Sequence, residues 1–195
     1  MNSEPNLLNA KMSDSFHGGP SYSISHRLFR VLWALAWLML CRWTPAPLHR
    51  WRVVMLRLFG AKISSNVHVY ASARIWYPPN LVMMDHACLA PGVNCYNMAM
   101  IIIGVNAIVS QNSFLCTGTH DVADEAFQLK VSPITIGDYA WVASEAFVGP
   151  GVDIGEGAVL GARGVTTKNL DPWTVYFGNP AIAVKHRKVI RKQVS

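Results

Sequence analysis

The chain has 195 residues, of which 51% are hydrophobic and only 14% are charged, and its net charge at pH 7 is +6. A typical soluble domain carries about 25% charged residues, so this chain either buries a long, thin core or lies near a membrane. The four cysteines form no CxxC pair, and in a chain of this size we expect free thiols in a reducing compartment rather than a disulfide framework.

The positive charge is unevenly distributed along the chain. No acidic residue lies between Asp14 and Asp85, whereas this span holds eight basic residues, and a second basic run closes the chain. Such segments favour anionic lipid, phosphorylated small molecules or nucleic acid as partners. Because they contain no recognised nucleic-acid-binding motif, we expect no nucleic-acid partner.

The N-terminal third divides into a tail and a helical segment. Residues 1–21 are polar and rich in proline and glycine, and are predicted to form a flexible tail. Residues 22–60 place leucines and valines at helical spacing, with a break at TPAP (44–47), where proline ends the first helix, and a second short helix from about residue 49 to 59. The longest apolar run, 31–41, has 11 residues, whereas a spanning helix needs about 20.

The apolar, arginine-flanked character of these helices leaves two interpretations open. The helices could lie in a membrane interface, with their tryptophans at the boundary. Alternatively, they could pack on the main domain or on a neighbouring subunit. Both interpretations require the same apolar face.

From residue 63 onward the sequence repeats every six residues. The first positions are apolar in fourteen of fifteen hexads: Ile63, Val69, Ile75, Met83, Leu89, Cys95, Ile103, Val109, Leu115, Ile136, Val142, Val148, Ile154, Leu160, with Thr166 as the exception. The fifth position is a small residue or valine in thirteen of them. A hexad period is the signature of a β-helix. It predicts five coils of three short strands over residues 61–171, with the first positions pointing inward.

The spacing between coils locates a protruding loop. Two residues are added at 81–82 and at 101–102, and the same corner of the third coil carries fifteen, residues 121–135. This loop begins immediately after His120. Loops of that length in compact domains are often functional. The remaining segment, 172–195, is predicted to end in a basic helix.

The motifs as a set resemble the hexapeptide-repeat acyltransferases, and within them the colanic-acid-biosynthesis acetyltransferase branch, over about residues 22–185. They are RLFGAKI (57–63), RIWYPPNL (74–81), VSQNSFLCTGTHD (109–121), SPITIGDYAWVASEAFVGPGVDIGEGAVLGARGVTTK (132–168) and PWTVYFGNPA (172–181). The resemblance implies a left-handed parallel β-helix, a homotrimer with active sites between subunits, acetyl-CoA as co-substrate without a metal, and O-acetylation of a sugar in exopolysaccharide biosynthesis.

The resemblance also assigns roles to individual residues. His120 matches the family's general base, which removes the proton of an acceptor hydroxyl as it attacks the thioester. Candidate acceptor contacts are Asn94, Asn97 and Asp121. Candidate coenzyme contacts are Trp141, Ala162, Thr167, Lys168 and Lys185. Where the family often has an arginine, Lys185 would offer phosphate a point charge without the bidentate fork.

Three other assignments remain open at this stage. Cys116, four residues before His120, could be a nucleophile, but no nearby cation favours a thiolate, and a structural thiol is preferred. A zinc hydratase of the gamma carbonic anhydrase type would need three histidine ligands, and a non-catalytic β-helix scaffold would need no base at all. We expect a cytoplasmic enzyme that acts on a sugar or lipid-linked glycan, with a peripheral contact to the inner membrane face left open.

Overall fold

The hexad repeat folds as predicted, into a three-sided parallel β-helix. The computed structural model describes residues 22–188, so the predicted tail, 1–21, and the last residues, 189–195, lie outside the described part. All fifteen first-position side chains are at most 6% exposed. They point inward because alternate residues of a strand face opposite sides.

Each side of the prism is one sheet of short strands. Sheet A contains Lys62–Ile63 (β1), Leu81–Met83 (β4), Ile101–Ile103 (β7), Ile134–Ile136 (β12) and Asp153–Ile154 (β15). Sheet B contains His68–Val69 (β2), Cys88–Leu89 (β5), Ile108–Val109 (β8), Trp141–Val142 (β13), Val159–Leu160 (β16), Thr174–Gly178 (β18) and Ala181–His186 (β19). Sheet C contains Arg74–Ile75 (β3), Asn94–Tyr96 (β6), Phe114–Cys116 (β9), Phe147–Val148 (β14) and Val165–Thr166 (β17). Gly118–His120 (β10) and Leu129–Val131 (β11) form a separate antiparallel hairpin.

The C-terminal end differs from the prediction in two ways. A sixth, incomplete turn follows the five coils, because Leu170 bridges to Ile154 and β18 pairs in parallel with β16. The basic helix expected within 172–195 is wrong for residues 181–186, which form β19, antiparallel to β18. The β-branched and aromatic residues of β18 favour a strand, and the exposed edge of sheet B supplies its partner.

Two helices close the N-terminal end of the prism. They are Ile24–Leu40 (α1) and His49–Leu58 (α2), which confirms both predicted helices and the break between them. N–H groups at the strands of one coil donate to carbonyls of the following coil, as from Tyr70 to Leu89 at 3.1 Å. The carbonyls of the first coil that face away from the second coil have no preceding strand to pair with.

Side-chain donors from the two helices satisfy those carbonyls. The indole of Trp33 donates to the Ile75 carbonyl at 2.7 Å, and that of Trp37 donates to the Ala71 carbonyl at 3.2 Å. From α2, Arg52 Nε donates to the Val69 carbonyl at 2.6 Å, and Arg57 Nε donates to the Ile63 carbonyl at 2.7 Å. Because buried polar groups need partners, these donors explain why this end of the β-helix carries indoles and guanidinium groups.

The helices thus pack on the main domain through one side only. The opposite side of α1 is apolar and at least 47% exposed at Ile24, Leu28, Val31, Leu32, Leu35, Leu38 and Met39. No helix within residues 22–188 is both long and apolar enough to cross a bilayer. Packing on the main domain, one of the two open interpretations, therefore accounts for the buried side of α1. It leaves the exposed apolar side unexplained.

Candidate active site

The hairpin that carries His120 leaves the prism at the corner between sheets C and A. It starts at Gly118, before the predicted loop start, because β10 and β11 pair from Gly118↔Val131 to His120↔Leu129. A Cβ atom at position 118 would lie 2.6 Å from the Met98 sulfur, so a larger residue would displace the Met98 side chain where the chain turns away. The predicted 121–135 loop is therefore largely ordered, and it rejoins the prism at Ile134.

The imidazole of His120 is exposed and fixed by one residue of the hairpin. Its Nδ1 atom lies 2.8 Å from the carbonyl oxygen of Phe127, and its ring stacks on the Phe127 ring at 4.6 Å with an interplanar angle of 7°. A carbonyl can only accept, so Nδ1 carries the proton and donates it. The neutral ring therefore has its lone pair on Nε2, which is the atom a proton acceptor needs.

Asp121 stabilises the hairpin rather than the ring. Its carboxylate lies 2.6 Å from Lys130 Nζ and accepts a hydrogen bond from the backbone N–H of Ala123 at 3.1 Å. The bond from Lys130, with that from Ala123, lowers the pKa of Asp121 below its ordinary value. As neighbours on an extended strand, Asp121 and His120 point apart.

The two predicted asparagines differ sharply in accessibility. Asn97 is completely buried. Its Oδ1 accepts from the Tyr77 N–H at 3.0 Å, and its Nδ2 donates to the Tyr77 carbonyl at 2.7 Å. It holds the chain at the corner and does not face an acceptor, so we do not retain it as a substrate contact. Asn94 lies on the outer side of sheet C, half-buried, at the edge of a groove beneath α1.

The predicted coenzyme contacts lie at two separate places on the prism. Thr167 and Lys168 are exposed at the corner between sheets C and A, two coils beyond the hairpin, or about 10 Å at 4.8 Å per coil. Trp141 is 44% exposed on sheet B, where its indole donates to Ser110 Oγ at 2.8 Å. Ala162 is exposed at the corner between sheets B and C.

Sheet B lies across the prism from the corner that carries His120. A single chain therefore cannot bring Trp141 and His120 into one site. Lys185 is exposed on β19, at the end of sheet B. Arg187 is partly committed within the chain, because its Nη1 donates to the carbonyls of Tyr139 and Gly157 at 2.8 and 2.9 Å.

Some functional features carry no sequence signal. Phe127 fixes the tautomer of His120 through its backbone, which any residue would supply, and it adopts a left-handed φ of 49°.

The Cys116 thiol donates to the Gly118 carbonyl at 3.3 Å, as expected of a structural thiol. Among residues 22–188, no cluster of three or more histidine, cysteine, aspartate or glutamate side chains could hold a metal ion.

Solved structures share this fold. A maltose O-acetyltransferase from Clostridium difficile 630 superposes with a TM-score of 0.76 at 24% identity, over 86% of this chain and 90% of that one. The hexapeptide-repeat acetyltransferase VCA0836 of Vibrio cholerae O1 biovar eltor, complexed with acetyl coenzyme A, gives 0.76 at 20% identity, over 94% and 97%. At these identities the likeness concerns the fold.

Sequence comparison establishes the family. The chain belongs to the hexapeptide-repeat acetyltransferases, because it is 41% identical over 172 residues to a member of that class. This relative is WcaF of Escherichia coli strain K12, named as an acetyltransferase of colanic acid biosynthesis, and the match covers 88% of this chain and 91% of WcaF. No protein-family model matches the chain.

Proposed function

We propose that this protein transfers an acetyl group from acetyl-CoA to a hydroxyl group of a sugar, in the biosynthesis of an exopolysaccharide or other glycan. The relation to WcaF, named for colanic acid biosynthesis, supports the glycan. The observation that carries the chemistry is the bond from His120 Nδ1 to the Phe127 carbonyl, because it leaves Nε2 as a proton acceptor on an exposed edge.

The acceptor hydroxyl loses its proton to His120 Nε2 as its oxygen attacks the thioester carbonyl carbon. The tetrahedral intermediate then expels the coenzyme sulfur, which takes the same proton from Nε2, and the ester product and free thiol are released. The Phe127 carbonyl stabilises the imidazolium that forms between the two steps, because a bond to a charged donor is stronger. General base catalysis of this kind contributes about 10²–10⁴ to the rate.

Substituting the base tests this mechanism directly. His120→Ala should lower kcat about 10²–10⁴-fold and leave acetyl-CoA affinity nearly unchanged, measured by thiol release and by equilibrium binding. Asp121→Asn is the matched control, because it alters the neighbouring side chain and leaves the imidazole in place. Near-wild-type turnover by His120→Ala would eliminate the assignment. A protein that binds acetyl-CoA and releases no thiol with any sugar would favour the scaffold alternative.

The complete site is proposed to lie between subunits of a homotrimer. The support is geometric, since Trp141 lies on sheet B and His120 at the opposite corner, so that adjacent prisms could bring them together. Thr167, Lys168, Ala162 and Lys185 are the other proposed coenzyme contacts.

Mixing two defective variants tests this arrangement. His120→Ala and Trp141→Ala homotrimers should each be impaired at low acetyl-CoA. Random mixed trimers should recover about one quarter of the wild-type activity, because that fraction of interfaces has both native residues. In the control, each variant is cross-linked before mixing, so that subunits cannot exchange. No recovery, in mixed trimers verified by mass spectrometry, would place both residues in one subunit or show that Trp141 has no role.

We further propose that the enzyme acts in the cytoplasm at the inner membrane face, on a lipid-linked glycan. Beside the apolar side of α1, the helical segment also exposes Trp43, at 81%, and Leu58 of α2, at 74%. An amphipathic helix with tryptophans and arginines is suited to a bilayer interface. Residues 22–60 hold basic residues and no acidic residue. An anionic bilayer therefore attracts this segment, whereas a second copy of the same surface would repel it.

Vesicle binding tests this location. The protein should sediment with phosphatidylglycerol vesicles in a salt-sensitive manner and not with phosphatidylcholine vesicles. Leu28→Gln combined with Leu35→Gln should abolish sedimentation, whereas Ile182→Gln combined with Val184→Gln, at equally exposed apolar positions on β19, should not. Unchanged sedimentation of the α1 variant would contradict the proposal, and loss of the trimer would assign the surface to a subunit contact.

A further inference from the structure

A groove of about 980 Å³ lies between α1 and the corner that joins sheets B and C in the first three coils. It is not part of the proposed acetyl-transfer site, which lies at the corner between sheets C and A. Its polar lining includes three arginines, Arg30 and Arg42 from the helix side and Arg74 from β3, and two asparagines, Asn94 and Asn112. Among residues 22–188, no acidic side chain lines it.

The arginines of this groove differ from the structural arginines nearby. Arg52 donates hydrogen bonds to the carbonyls of Pro45 and Ala46 at 3.0 and 2.6 Å, so its guanidinium is satisfied within the fold. In the described part of the chain, the Arg30 guanidinium contacts aromatic rings, lying 4.3 Å from the Trp76 ring, and its buried Nε has no hydrogen-bond partner. Within residues 22–188, the guanidinium groups of Arg42 and Arg74 form no hydrogen bond or ion pair.

Three guanidinium groups line one groove without an acidic neighbour among residues 22–188. Like charges in one groove repel one another, and a bound anion lowers that repulsion. Guanidinium groups bind carboxylates and phosphates through paired hydrogen bonds. The asparagine amides offer donors and acceptors to hydroxyl groups. The indole of Trp76 adds an apolar surface. Together these groups fit a sugar that carries a negative charge.

We propose that this groove binds an anionic saccharide, a sugar unit bearing a carboxylate or a phosphate, as a second subsite for the acceptor glycan. The identification of this saccharide as part of the acceptor rests on the proposed function; the binding itself does not. Sheet C connects the groove to the hairpin, since Tyr96 lies beside Trp76, with ring centroids 5.6 Å apart. From Phe114 to Gly118 the chain spans about 13 Å at 3.3 Å per residue, so an oligosaccharide, and not one sugar, would reach from the groove to His120.

The test compares three probes of the same size: a neutral disaccharide, its glucuronic acid counterpart, and its 1-phosphate. Binding is measured by tryptophan fluorescence in the absence of acetyl-CoA, with wild-type protein and with His120→Ala. We expect one or both anionic probes to bind about tenfold more tightly than the neutral one, the equivalent of one charge-assisted contact, and this preference should weaken with added salt. Which anionic probe is preferred distinguishes a uronic acid from a sugar phosphate.

Arg42→Gln combined with Arg74→Gln should remove the preference for the anionic probe. The control is Lys62→Gln combined with Arg163→Gln, which removes two exposed positive charges outside the groove and should retain the preference. Equal binding of all three probes to the wild-type protein would overturn the proposal whether or not the variants fold, and so would a preference that survives in the folded groove variant. Charge preference without any acetyl transfer would support the groove and contradict the proposed function, whereas acetyl transfer without charge preference would do the reverse.

Discussion

The capping of the first coil makes a quantitative prediction at Arg52. Its side chain is completely buried, and burial lowers the pKa of its guanidinium below the ordinary value. Arg52→Met keeps the apolar stem and removes four hydrogen bonds, to the carbonyls of Val69, Pro45 and Ala46 and to Thr44 Oγ1. The Val69 carbonyl still lies 2.9 Å from His49 Nδ1. Each intramolecular hydrogen bond contributes about 0.5–1.5 kcal/mol.

Relief from burying an unpaired charge offsets part of that cost. The expected net loss is therefore about 2–4 kcal/mol. At about 2–4 °C per kcal/mol for a chain of this length, the Tm should fall by roughly 4–16 °C.

Thermal unfolding by circular dichroism, at one protein concentration for all variants, measures this loss. The matched control is Arg50→Met, an exposed arginine two residues away on the same helix, which should change stability by no more than about 0.5 kcal/mol. Arg52→Lys should fall between the two, because lysine keeps the charge and loses the planar fork. If Arg52→Met and Arg50→Met unfold within about 2 °C of each other, the helices do not stabilise the first coil through this guanidinium.

Three further predictions concern Phe127 of the hairpin, His26 of α1 and the Cys116 thiol. Phe127→Gly keeps the carbonyl bonded to Nδ1 but removes a stacked ring worth about 0.5–1.5 kcal/mol, so kcat should fall roughly 2–10-fold in the thiol-release assay, and an unchanged kcat would show that stacking does not orient His120. Burial, reinforced by the Arg30 guanidinium, lowers the pKa of His26 below 6.5, so the unfolded chain binds more protons and stability should fall as the pH drops below about 6.5. In calorimetry from pH 7 to 5, His26→Phe should flatten part of that fall, and an identical slope would contradict this. Cys116→Ser should retain most of the wild-type kcat, whereas a loss comparable to that of His120→Ala would make the thiol a nucleophile.

The inward-facing core was predictable from the sequence because its determinants are local. Val69, Leu89 and Val109 recur at a fixed position of each coil. The six-residue repeat alone therefore predicts that their side chains point inward. The departure of a loop near His120 followed from the same counting. The start of the hairpin did not, since it depends on the pairing of Gly118 with Val131 across the loop.

Features that depend on distant partners were not predictable. The donor from Trp33 meets the carbonyl of Ile75 across 42 residues, and helical periodicity shows only that the indole is on an apolar side. The basic run near the C-terminus predicts a helix at the end of 172–195, but β18 pairs with residues 181–186 as a strand, and no local pattern reveals that partner. Arg30 lies on α1, Arg42 just after it and Arg74 on β3, so the three arginines line one groove only in the folded chain.

The two helices that close the N-terminal end of the prism, α1 and α2, also limit which truncated variants are informative. Deleting residues 22–57 would remove any membrane contact, but it would also uncover the row of first-coil carbonyls that now accept from indoles and guanidinium groups. Uncovered strand edges of this kind are templates for other chains. Truncated molecules would then stack end to end into fibres, and these fibres would sediment even without vesicles. Single-site substitutions on the outer side of α1 avoid this, because they leave the first-coil carbonyls covered.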